Sequence, residues 1–67
     1  MKIWNIHIEA VMSKKDLDRW KNWSERDVVA DTIEEAIKKA LAFENKTYDF
    51  VATRVREAKF VLEVDVE

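Results

Sequence analysis

Three groups of residues in this chain are of types that could do chemistry. Lys14, Lys15, Arg19, Lys21 and Arg26 interleave with Trp20 and Trp23. Cations beside indoles are what single-stranded nucleic acid or a nucleotide-like ligand meets, phosphate on the cations and base on the ring. Arg54, Arg56 and His7 could add further phosphate contacts to such a pocket. Asp16, Asp18 and Glu25 lie in the same tryptophan segment, so five cations less three anions leave a surplus of two. That is a small electrostatic term beside the many phosphate contacts of a dedicated binder. In the competing reading, Trp20 and Trp23 close the edge of a small core, or one of them anchors a protein interface, where tryptophan is enriched.

His7 is the only histidine, and the chain has no cysteine. Zinc or iron sites built without thiolates need more than one imidazole, so no metal site is expected. The two serines, Ser13 and Ser24, have no glycine elbow around them, because glycine and proline are both absent from the chain. That absence removes phosphate-cradling loops, glycine-dependent oxyanion turns and proline-rich ligand segments. The chain is therefore not expected to be an enzyme, and no cofactor is implied.

The elements that must position these residues follow from periodicity. Lys2 to Met12 alternates, with Trp4, Ile6, Ile8, Ala10 and Met12 on one face and Ile3, Asn5, His7, Glu9 and Val11 on the other. Period two predicts a strand whose first face is core. Ser13 with Asp16 resembles a capping box, and Leu17 with Trp20 has helical spacing, predicting one or two helical turns before Asn22. Val28, Val29 and Ala30 form a short β-prone run that could pair with the first strand. Thr32 with Glu35 is a second capping box, and Ile33, Ala36, Ile37, Ala40 and Leu41 share one helical face, predicting a helix from Ile33 to about Glu44. Asn45 to Thr47 can end it, Asn being tolerated in a left-handed cap.

From Tyr48 to Val66 the chain is β-prone but changes phase: Val51 and Val55 are odd-numbered, whereas Phe60, Leu62, Val64 and Val66 are even. A strand cannot keep both sets on one face, so a bulge or turn is expected between Arg56 and Lys59. A helix over 50–58 is the alternative, since Val51, Arg54, Val55 and Ala58 would then share a face. Glu63, Asp65 and Glu67 form an acidic ladder opposite the apolar even positions. The expected fold is α+β in ββαβ order, a small antiparallel sheet of three to four strands with one main helix packed across it. The expected core is Trp4, Ile6, Ile8, Ile33, Ile37, Leu41, Phe60, Leu62 and Val64.

Sixty-seven residues allow a single domain over 1–67. The content of 48% hydrophobic and 39% charged residues is rich enough in apolar side chains for a packed core and unlike a disordered chain. Net charge is −2, opposite in sign to a general polyanion binder. No stretch approaches a membrane span or an uninterrupted signal core, so a cytoplasmic protein without membrane contact is expected.

The stretch from Val28 to Ala40, VVADTIEEAIKKA, resembles a strand-to-helix segment of small phage and prophage accessory proteins, and locally of HicB-type antitoxins. The glycine-containing strands and separate DNA-binding part of those antitoxins are missing here. The phage resemblance implies a small protein that docks on and modulates a larger host protein. Three functions are thus carried forward: a phage-type accessory or inhibitor protein, an oligomeric sequestering protein for a nucleotide-like ligand, and a single-stranded nucleic-acid-binding module. With no glycine or proline to blunt its strand edges, the chain is also expected to associate with copies of itself.

Overall fold

The computed structural model describes residues 1–64. Its elements are β1 (Lys2–Val11), a 3-10 turn (Lys14–Asp16), β2 (Lys21–Val29), α1 (Ile33–Thr47) and β3 (Ala52–Glu63). The sheet is antiparallel in the order β2-β1-β3. This is an α+β fold in ββαβ order, with α1 packed across one face of a three-stranded sheet.

β1 is central because its alternation is the most regular in the chain, and its Ile6, Ile8 and Ala10 are buried toward the helix. The stripe that α1 lays against them is Ala36, Ala40 and Glu44, spaced four apart and all buried. Alanine at the seam lets helix and sheet approach closely, while Ile37 and Leu41 pack from its flanks together with Trp4, Val28, Val55 and Ala58. Thr32 caps the helix as its spacing implied, its hydroxyl accepting from the Glu35 N–H at 3.2 Å. Lys39 pairs with Glu35 at 3.1 Å.

Several expectations are corrected. The helical tendency after Ser13 yields only the 3-10 turn, where Ser13 Oγ accepts from Lys15 N–H at 3.2 Å. β2 instead begins at Lys21, because pairing with β1 continues through Ala10 opposite Lys21 and outweighs a weak local preference. The helix runs on through Asn45 to Thr47, and Tyr48 follows in extended conformation, its N–H bonded to the Glu44 carbonyl. No left-handed cap forms, since none of the described residues has positive φ. Val11 is buried and Met12 exposed, the reverse of the strict alternation. β1 ends at Val11, whose carbonyl takes the Val51 N–H at 3.0 Å as the 48–51 connection closes over that end.

Residues 52–63 are strand, not helix, and the change of phase is resolved by two bulges. β3 carries one extra residue at Arg56, between Glu57 opposite His7 and Val55 opposite Ile8. It carries a second at Val61, between Leu62 opposite Ile3 and Phe60 opposite Trp4. The second bulge turns Phe60 and Leu62 to opposite faces of the sheet. Leu62 thereby falls on the outer face, and Phe60, Leu62 and Val64, at 53%, 44% and 36% exposed, are not core. Of the acidic ladder, Glu63 ends β3 opposite Lys2, and Asp65 and Glu67, with Val66 between them, lie outside the described residues.

Candidate functional site

Two consecutive residues of β2 decide the geometry at one end of the molecule. β2 is bulged at Trp23, since Ser24 lies opposite Ile8 and Asn22 opposite Glu9. The extra residue lets Trp23 and Ser24 reach the same group, the carboxylate of Glu44. Trp23 Nε1 donates to Glu44 Oε2 at 3.1 Å, and Ser24 Oγ donates to Oε1 at 2.8 Å. Arg26 donates to that same Oε1 through Nε at 3.1 Å and Nη2 at 2.8 Å. Glu44 is 0% exposed. A buried carboxylate is tolerable only when its charge is paired and its lone pairs are used, and here four donors from one strand do both.

The carboxylate fixes an aromatic surface. With its N–H held by Glu44, the Trp23 ring meets Tyr48 edge-on at 5.1 Å and Phe50 edge-on at 4.9 Å, and Tyr48 lies 5.4 Å from Phe50. The Arg26 guanidinium sits 3.9 Å over the Phe43 ring. Trp23 remains 37% exposed, Tyr48 45% and Phe43 49%. Trp23 is therefore both an edge closure and a solvent-facing ring. Glu44 was missed in the sequence, although its position continues the four-residue step of Ala36 and Ala40, and Arg26 shares the core-facing phase of Val28.

His7, Arg54 and Arg56, with Trp20 beneath Arg54, gather on the outer face of the sheet, away from the helix, whereas Lys21 lies opposite Ala10 in the helix-face phase. His7 stands between strands, its Nε2 2.9 Å from Glu25 on β2 and its Nδ1 3.8 Å from Glu57 on β3. Arg54 donates to Glu9 at 3.2 Å while its guanidinium covers the Trp20 ring at 4.2 Å. Arg56, displaced by its bulge, donates to Asn22 Oδ1 at 2.9 Å. A concavity of about 230 Å3 is lined by His7, Asn22, Trp23, Ser24, Glu25 and Arg56, with Ile8 behind them. It gathers three of the expected site residues, but Arg19 precedes β2 and Lys21 opens it, and neither joins that lining.

The hydrogen bond from His7, reinforced by the imidazole charge, holds the Glu25 carboxyl below the usual carboxylate range. A lowered carboxylate contributes stability that is present above its unfolded pKa and is lost as pH falls through the lowered folded value. We expect Glu25 to titrate below ordinary glutamates in a carboxyl-detected NMR titration, and His7→Gln to move it back toward them. An unchanged Glu25 titration in that variant would show that the imidazole is not the cause. Among the described residues, no cluster of three histidine, cysteine or acidic side chains could hold a metal ion. Among the described residues, too, no helix is long and apolar enough to cross a membrane.

Comparison with known proteins gives no match to a family model, a curated protein or a solved structure.

Proposed function

We propose that this chain is a small binding protein, an accessory or inhibitor of phage type, that docks on a larger protein through the aromatic surface of Trp23, Tyr48 and Phe43. The observation that carries this reading is the combination of exposure and fixation. These rings are more than one-third exposed, yet Trp23 is held by a hydrogen bond to a buried carboxylate and by two edge contacts. Rings already ordered before contact lose little side-chain entropy on binding, and Trp, Tyr and Arg are the side chains that dominate interface energetics.

A nucleotide-like ligand is the second reading, favoured by the concavity that collects His7, Trp23 and Arg56. Its cations are less suited to phosphate than their number suggests. His7 faces Glu25 and Glu57, Arg54 is spent on Glu9, and Arg56 on Asn22. A phosphate entering there would meet carboxylates as well as cations.

The two readings part on charge. In a pull-down from a bacterial lysate, Tyr48→Ala and Trp23→Phe are expected to lower capture of a protein partner at least tenfold. Arg54→Glu combined with Arg56→Glu is expected to leave capture within about threefold, since rim charges contribute little. The opposite pattern, together with release of a nucleotide on heat denaturation of the purified protein, would overturn the docking proposal in favour of sequestration.

A further inference from the structure

Among the described residues β3 is an edge strand with no neighbour on its far side, so alternate N–H and C=O groups along its length face outward. Its last third is also bare of cover, with Phe60, Val61 and Leu62 all exposed, as is Val64 just beyond it. Bulges at Arg56 and Val61 would ordinarily protect such an edge, because an incoming straight strand would lose register at each of them. A second copy of β3 would not.

Consider an antiparallel copy related by a two-fold axis through Ala58. Ala58 then faces itself, Glu57 faces Lys59 of the copy, and Lys59 faces Glu57. All four charges lie on the outer face, where Glu57 is opposite His7 and Lys59 opposite Asn5. Proceeding outward, the extra residue at Arg56 on one strand falls beside the extra residue at Val61 on the other. The two cancel, and the faces match again beyond them. Arg54 and Leu62 both belong to the outer face, opposite Glu9 and Ile3, and Thr53 and Glu63 both belong to the helix face, opposite Ala10 and Lys2. Shifting the axis to Glu57 or to Lys59 sets like charges against each other, which is destabilising directly across a ladder. An axis between residues brings Ala58 of the helix face against an outer-face residue. One register satisfies charge, face and bulge together.

We infer that the free edge of β3 takes a second copy of this chain, two-fold about Ala58, to make a continuous six-stranded antiparallel sheet with both helices on one face. An edge roughly 40 Å long and about 10 Å thick buries on the order of 400 Å2 per copy, half of the roughly 800 Å2 typical of stable complexes. Association is therefore concentration-dependent. The aromatic surface rests on β2, the helix end and the 48–51 connection, so this inference stands or falls apart from the docking proposal.

Sedimentation equilibrium from tens to hundreds of micromolar tests it. The unmodified chain is expected to move from monomer to dimer mass, with Lys59→Glu at least tenfold weaker and the exchange of charges, Glu57→Lys with Lys59→Glu, restored to within about threefold. Register is tested by mild oxidation of mixed Glu57→Cys and Lys59→Cys chains, which should cross-link faster together than either does alone. A monomeric mass over the whole range, a dimer indifferent to Lys59→Glu, or cross-linking no faster in the mixture would overturn it. Trp23→Phe is expected to leave the dimer unchanged.

Discussion

Glu44→Ala is expected to cost about 3–5 kcal/mol, because removing one partner of a buried ion pair leaves the other desolvated without compensation. Arg26 is only part-exposed and gives two hydrogen bonds to the lost oxygen, and Trp23 and Ser24 would also lose their acceptor. A chain of 67 residues has little stability to spare, so the variant should be largely unfolded at 25 °C by circular dichroism. Glu44→Leu combined with Arg26→Met should recover much of the loss, since well-packed apolar residues can replace a buried pair at little cost. That double variant would still lack the acceptor for Trp23, and its indole fluorescence should report a more mobile ring. A urea midpoint for Glu44→Ala close to that of the unmodified protein would show that the carboxylate does not hold helix and strand together.

The second large effect separates residues that the sequence places in one core and the structure does not. Ile8→Ala removes a fully buried side chain from the central strand and is expected to cost about 2–5 kcal/mol. Ile37→Ala, from a half-buried flank of the helix, should fall toward the lower end of that range. Leu62→Ala, at a position 44% exposed, should stay below about 1 kcal/mol. Comparable losses at Ile8 and Leu62 in matched urea titrations would mean that the bulge at Val61 does not turn Leu62 outward.

Much of the frame could be read from local pattern. The alternation from Lys2 to Met12 and the capped stripe from Thr32 to Leu41 each express one period over several repeats. A long, consistent period admits few alternatives. The broken phase of β3 also required a bulge, and one is found at Arg56. The extra residue at Val61 was not legible. Phe60, Leu62 and Val64 alternate correctly as letters, and only pairing with β1 reveals that Ile3 and Trp4 accept them out of step. β2 was foreshortened for a related reason. Its first residues, Lys21 to Glu25, carry no alternation of their own, and their strand conformation comes from the ladder with β1.

The candidate site divides in the same way. The residue types were visible: three tryptophans, scattered cations and one histidine. Their partners were not, because Trp23 reaches Glu44 across 21 positions, and Arg54 reaches Glu9 across 45. By itself the sequence determined the central strand, the capped helix and the ββαβ order, since those depend on periodicities and caps contained within a few turns of chain. Only the tertiary structure decided that a glutamate would occupy the helix seam, that Arg26 and Arg54 would be tied to carboxylates and Arg56 to an amide, and that β3 would turn apolar side chains to both faces. Each of those outcomes depends on which distant residue supplies a hydrogen bond or a ladder partner, and a buried or edge position acquires its energetic meaning from that partner alone.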